Sequence, residues 1–500
     1  MRRLIYIFII GLLLCSYTWA DGSRYASKSL LSEGKWVKIR VDKTGIYKLS
    51  YADLKNMGFS APSKVSVHGY GGWPLDEDFS KEYIDDVPST PVWRGSDYLL
   101  FYGKGPVKWE YDSSSQTFVH TNNPYSLYGY YFVTDATPTN DMTSVAQASG
   151  ATNRITTYDD YLVHEQELVS LAKSGRELYG EDFSGATPRT LSTFSSIPGI
   201  TNEDAKVTMS FVSKVTSGTG VASLSINQSN VLDVSIRSNR EEYVKALEGV
   251  STAVWKGEKS EKNSVVVSYN SASHNNVRLN YVRLHFKRTL QLYGAYTFFR
   301  SIASIGNVSR FVVQGANANT LVFDVTDAQR VRLMETELNG SELTFSIPAG
   351  TLREFVLVRT DQSFISPEVV GEVENQNLHA LEQKDMIIIA AKAFQCSSLC
   401  SDVKNIARDN MLLTYQSRAS LFEYSGLFYN SNFSYVTDDY YGLLDNVSEE
   451  ALDKPNSICI GVGRFPVRTV TKSPSWRMMV TMRITIRVVM RNKLMSWPGL

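Results

Sequence analysis

Residues able to do covalent chemistry are few in this chain. Among 500 residues, four are cysteine and six are histidine. The cysteines are Cys15, Cys396, Cys400 and Cys459; the histidines are His68, His120, His164, His274, His285 and His379. A thiol becomes a useful nucleophile when an imidazole or another base stands beside it. No histidine neighbours a Ser or Cys in such a context, and the Gly-x-Ser-x-Gly and His-Glu-x-x-His patterns are absent. Cys396 and Cys400 fall one turn apart if Ala390–Asn405 is helical. A metal site there would need two more ligands, and none has suitable spacing. The pair is left as a strained disulfide or as ordinary buried thiols. His120, in Val119-His120-Thr121-Asn122-Asn123-Pro124, reads as a turn histidine satisfied by backbone. Gly461-Val462-Gly463-Arg464 begins like a phosphate loop but lacks the third glycine and the following Lys-Ser/Thr.

Two other groups of residues suggest binding. Asp438 and Asp439 follow Tyr435-Val436-Thr437 and precede Tyr440-Tyr441-Gly442, with Asp445 further on. Paired carboxylates at a strand-to-loop junction offer the oxygens that calcium prefers. They equally suit a substrate-side role, a helix cap or a braced turn. Calcium at Asp438 and Asp439 is the one cofactor the sequence suggests. Trp73, Trp93 and Trp109 are candidate sugar platforms, with core or rim packing as the alternative.

Elements positioning these residues are read from periodicity. Val37, Ile39 and Val41 alternate with Lys38 and Arg40, a half-buried strand. Asp42–Gly45 reads as a turn and Ile46–Leu49 as the returning arm of a hairpin. Ser50 caps a short helix with Asp53 three residues on, and Gly58 ends it. Strands are expected at Lys64–His68, Tyr98–Tyr102 and Tyr130–Val133, giving a β-rich unit over 21–150. Residues 151–200 read as a connection, and the Ser-, Thr- and Pro-rich stretch 185–200 suits a linker. From 201 to 375 short alternating runs return about every ten residues, as in a sandwich. They include Val207–Val212, Val221–Ile226, Val231–Ile236, Ser264–Tyr269, Val277–Phe286, Arg310–Val313, Leu321–Val325, Leu343–Ile347 and Glu354–Val358. Near residue 384 the character changes. Asp385–Ala390 and Ser457–Gly461 are continuous apolar runs, the signature of strands buried on both faces in a parallel α/β sheet. The expected fold class is therefore mainly β, with tandem β-sandwich-like domains followed by an incomplete α/β domain over 376–470.

Charge and termini narrow the class further. Lys plus Arg and Asp plus Glu number 51 each, which argues against nucleic-acid partners. The balance is uneven along the chain, because residues 471–500 hold six basic and no acidic residues. Arg2 and Arg3 precede an apolar run from Leu4 to Cys15, and Thr18-Trp19-Ala20 offers a cleavage site, so residues 1–20 read as a secretory signal peptide. No later window reaches the roughly 18 apolar residues of a membrane span. The expectation is an exported chain, extracellular or held at the outer-membrane surface by partners.

Several segments together resemble the PorU-type sortases of the type IX (Por) secretion system, a gingipain-like cysteine peptidase family. They are Gly34–Ile39 with Thr44–Tyr47, Val67–Gly72, Asp97–Gly103, His120–Tyr125, Ser174–Glu177 with Gly180-Glu181, Phe323–Asp327, Tyr435–Gly442 and Gly461–Arg468. The resemblance implies a caspase-like, gingipain-type α/β layer after the β domains. It implies an enzyme that cleaves the C-terminal sorting domain from secreted cargo and joins the new carboxyl end to lipopolysaccharide through a cysteine thioester. It also implies an outer-membrane β-barrel partner. In the family the histidine lies in a Gly-His-Gly stretch and the cysteine ends a Thr-Ala-Thr-Cys-like strand, both after the Gly-Arg-Phe-Pro segment. Neither motif follows Gly463-Arg464-Phe465-Pro466 here, so no catalytic residue is assigned and the chain is expected to be inactive.

The tail 471–500 looks like a shifted reading frame. Methionine has one codon, so Met478-Met479-Val480-Thr481-Met482 largely fixes its nucleotides as ATG ATG GTN ACN ATG. Moved back one base after a G, they read Asp-Asp-Gly-x-x, an acidic stretch of the kind the family shows at this distance past Gly-Arg-Phe-Pro. The other reading is a genuine basic amphipathic tail that touches membrane or lipopolysaccharide. Apart from the sortase-like reading, the sequence allows a non-catalytic secreted β-sandwich protein that binds glycans or docks on an outer-membrane protein.

Overall fold

The computed structural model describes residues 26–381, except 77, 79–84, 172–176, 186, 243 and 271–273, together with five strands beyond residue 385. The signal-like segment 1–20, the Cys396–Cys400 helix and Asp438–Asp439 lie outside the described residues. Mainly β structure is what the periodicity predicted, and strands form at each of the runs named above. Met386–Ala391 pairs in parallel with Met411–Gln416, and Ser457–Val462 pairs antiparallel with Ile484–Met490 of the tail.

The N-terminal unit is a small sandwich. Its five-stranded sheet runs Glu368–Val373, Trp36–Val41, Gly129–Thr134, Ser66–Gly71, Ser89–Thr90; its three-stranded sheet runs Gly45–Ser50, Tyr98–Gly103, Val92–Arg94. Val37, Ile39 and Val41 from one layer meet Tyr47, Leu49, Leu99 and Phe101 from the other. The expected hairpin at 35–50 is therefore corrected. Both arms are strands, but they lie in different sheets, and residues 42–44 form a corner between the layers. Period-two burial is the same in either arrangement, so alternation alone cannot select the partner. The helix Tyr51–Asn56 matches expectation: Ser50 Oγ accepts from the Asp53 N–H, and Gly58 follows at φ +91°.

A nine-stranded sheet forms the centre of the molecule. Its order is Ser144–Val145, Arg332–Met334, Thr320–Asp324, Glu354–Arg359, Tyr296–Arg300, Thr157–Glu165, His274–Thr289, Ala205–Val215, Leu247–Trp255. Residues 151–200, expected as a connection, are corrected by this order, since Thr157–Glu165 lies inside the sheet between two long partners. The presumed linker 185–200 likewise inserts Leu191, Phe194 and Ile197 into a core. One half of the sheet packs on the sheet containing Thr219–Ile226, Ser229–Arg237 and Val265–Asn270. The other half packs on the sheet containing Asn307–Val313 and Glu342–Ala349.

Alternation along Glu354–Arg359 shows how the parts are joined. Phe355 and Leu357 face the second sandwich core, while Val356 and Val358 face Ile46, Leu100 and Tyr102 of the N-terminal unit. The central sheet is thus covered on its back by the three-stranded layer. Glu368–Val373 then returns to pair with Trp36–Val41, so the N-terminal sheet is completed by a strand over 300 residues away. Among the described residues no helix is long and apolar enough to cross a membrane.

Candidate functional site

The hairpin Val107–Asp112 and Thr117–Asn122 lies against the central sheet. Trp109 stacks on Tyr161 at 3.9 Å between ring centroids, and Phe118 packs on Tyr161 and His285. Beside this contact opens a groove of about 550 Å³ between the N-terminal unit and the central sheet. That size suits a small-ligand cleft. Tyr70, Trp73, Tyr125 and Tyr128 supply aromatic surface from the N-terminal side, with Asn122 and Asn123 beside them. Glu165, Glu167, Tyr179 and Asn280 supply the opposite wall.

A bulge positions that wall. The pairing of Ala205–Val215 with His274–Thr289 shifts register at Ser210/Phe211, opposite Asn280. Val277 and Leu279 before the shift, and Val282, Leu284 and Phe286 after it, consequently enter the same core despite opposite parity.

His120 is corrected by the structure. It sits on a strand, not a turn, and its Nε2 bonds Glu165 Oε2 at 2.9 Å while its ring contacts Trp109 and Tyr281. Asn122 Nδ2 donates to Glu165 at 2.7 Å and to Glu167 at 3.2 Å. Burial and the neighbouring Glu165 raise the Glu167 pKa against the pull of Asn122. The remaining histidines are also engaged. His164 bonds Glu181 at 2.6 Å, His285 bonds Asp159 at 3.2 Å, and His379 bonds Asp85 at 2.8 Å. His68 contacts the Thr137 hydroxyl and the Val87 carbonyl, and His274 the Ser184 carbonyl. No cysteine side chain falls among the described residues, so none is seen beside an imidazole.

Of the three tryptophans marked as sugar platforms, only Trp73 lines the groove. Trp93 packs on Tyr98 against the central sheet, and Trp109 is used in the stack on Tyr161. Nothing local in the sequence marked Glu165 and Glu167, which lie more than 40 residues from Asn122. Among the described residues no group of three or more His, Cys, Asp or Glu could hold a metal ion.

Lys104 lies under the groove floor, 3% exposed. Its ammonium stands 3.9 Å from the Tyr70 ring centroid and 4.8 Å from that of Trp73. Burial brings its pKa from 10.5 down to about 7, against the pull of Asp327; the ring faces favour the cation. The pH consequence has a definite sign. Below pH 7 both folded and unfolded chains carry the proton, and folding bears the whole cost of burying it. Between pH 7 and 10.5 the unfolded chain binds more protons, so this contribution makes stability rise with pH. Lys104→Met should flatten that rise and be most stabilising relative to the parent at or below pH 7. Urea midpoints of both proteins at pH 6.5 and 9 read the difference; parallel shifts in the two would refute it.

The crystal structure of dimeric latent PorU from Porphyromonas gingivalis matches with a TM-score of 0.74 and 30% identity, covering 81% of this chain and 39% of that one. The chain therefore has a PorU-like fold and spans about two fifths of that protein's length. A likeness to BuGH86 in complex with neoagarooctaose has a TM-score of 0.16 and 10% identity, over 51% of this chain and 32% of that one, too distant to bear on it. No protein-family model and no curated protein matches the sequence.

Proposed function

We propose that this chain is the amino-terminal scaffold of a PorU-like component of type IX secretion, exported and held at the outer-membrane surface. The observation carrying this reading is the PorU-like fold over 81% of the chain at 30% identity. In a complete relative the activity would be cleavage of the sorting domain from secreted cargo, with transfer to lipopolysaccharide through a cysteine thioester. That chemistry needs a cysteine with a histidine as its proton shuttle. The six histidines here are all engaged elsewhere, four on carboxylates and two on hydroxyl or carbonyl oxygens. This supports a scaffold role without acyl transfer. An outer-membrane β-barrel and sorting-domain cargo are the proposed partners.

The tail supports a second part of the proposal, that the reading frame slips near residue 472. Five methionines, six basic residues and no acids fall in 471–500. Sequencing past codon 470 tests it; an in-frame stop after Leu500 with no downstream Gly-His-Gly or cysteine motif defeats it. For location, the tagged chain should be expressed in a bacterium with a type IX system. Surface-protease sensitivity and recovery with the outer membrane are expected, whereas full retention inside the cell would overturn the reading.

A further inference from the structure

We propose that the groove between the N-terminal unit and the central sheet binds a neutral oligosaccharide. Sugar rings present flat C–H faces and a rim of hydroxyls. They are held by aromatic faces together with planar side chains that pair with hydroxyl groups. The groove offers both. Trp73, Tyr125 and Tyr128 provide ring surface, with Tyr125 37% exposed. Asn122, Glu165 and Glu167 provide planar polar groups on the facing side.

Charge selects the class of sugar. Asp76, Glu110, Glu165, Glu167 and Glu177 line the groove against the single ammonium of Lys108, so uronic or sialic acids would be repelled. A basic peptide is the competing occupant, but much of the carboxylate charge already has a partner. Glu110 pairs with Lys108 at 2.8 Å, Glu165 holds His120 and Asn122, and Glu177 accepts from the Tyr179 hydroxyl at 3.3 Å. Each carboxylate has about four acceptor sites, so a carboxylate committed to one internal donor can still accept from sugar hydroxyls. A volume of about 550 Å³ leaves room for a short oligosaccharide and not only one ring. Neutral chains of this kind occur both free and as polysaccharide attached to lipid.

The test uses the full chain with neutral gluco-, manno- and galacto-oligosaccharides in one arm and delipidated lipopolysaccharide polysaccharide in another. Oligogalacturonate and hexalysine serve as charged competitors. Calorimetry should show binding of a neutral probe that changes little between 50 and 300 mM salt. The exposed variants Tyr125→Ala and Glu167→Gln should each weaken it about tenfold or more, with folding checked by circular dichroism. The arm that binds identifies the source. Failure of every neutral probe, indifference to both variants, or salt-sensitive displacement by hexalysine would overturn the proposal. None of these outcomes depends on the secretion reading, which is tested by location.

Discussion

Arg300→Met is expected to destabilise the central sheet by about 3 kcal/mol or more. Arg300 is 2% exposed. It donates to Glu354 Oε1 at 2.6 Å and to the Asp159 carbonyl at 3.2 Å, and approaches Asp160 Oδ1 at 3.6 Å. Its guanidinium also lies 4.3 Å from the centroid of Tyr161, which carries the hairpin stack with Trp109. Methionine fills similar volume but leaves Glu354 and Asp160 without this cation. Removing one partner of a buried pair costs about 3–5 kcal/mol; the low end applies because the Glu354 side chain is 29% exposed. Adding Glu354→Gln should recover part of the loss, because the two residues share one interaction. Arg300→Lys should fall between parent and Met, since an ammonium cannot reproduce the planar fork and ring stacking. Hydrogen exchange of Thr157–Glu165 and Tyr296–Arg300 measures the effect locally; unchanged protection in Arg300→Met would show that the cluster contributes little.

The second large effect lies in the other sandwich core. Phe299, Phe311, Phe345 and Phe355 are each at most 1% exposed. All six pairs among them have ring centroids between 5.0 and 6.1 Å apart. Phe311 and Phe345 are stacked at 6° and 5.0 Å, and most of the other contacts are edge to face. Phe345→Ala should cost about 3–5 kcal/mol, because the cavity opens between rings tied to three other strands and cannot readily close. Phe345→Leu, which keeps most of the volume but loses the ring contacts, should cost appreciably less. A combined Phe311→Ala and Phe345→Ala variant should be less destabilised than the sum of its parts, since the stacked pair is lost only once. Denaturant unfolding of the three variants checks this; strict additivity would mean that the rings pack independently.

Period-two alternation made most of the strands legible, and their faces with them. Val356 and Val358 against Phe355 and Leu357 show why, since each parity meets a different core. Strand partners were not legible, because alternation says nothing of which neighbour a strand chooses. Glu368–Val373 completes the first sheet from the far end of the described chain, and Trp36–Val41 does not pair with the strand that follows it. Strands with weak apolar content were missed. Leu247–Trp255 lies at a sheet edge and alternates exposed with half-buried positions occupied by small residues. Thr157–Glu165 carries Asp159 and Asp160, whose charges read as loop until His285, Lys287 and Arg288 are brought opposite. The groove had the same obstacle. Trp73 and His120 were visible, but the glutamates that define their surroundings come from a strand end over 40 residues away.

The proposed scaffold role is tested most directly by incubating the purified full chain with a cargo protein bearing a type IX sorting domain, and following cleavage by mass spectrometry. The account predicts intact cargo at the rate seen in buffer and no acyl adduct on any cysteine. Released sorting domain, with a thioester trapped on Cys396, Cys400 or Cys459, would contradict it.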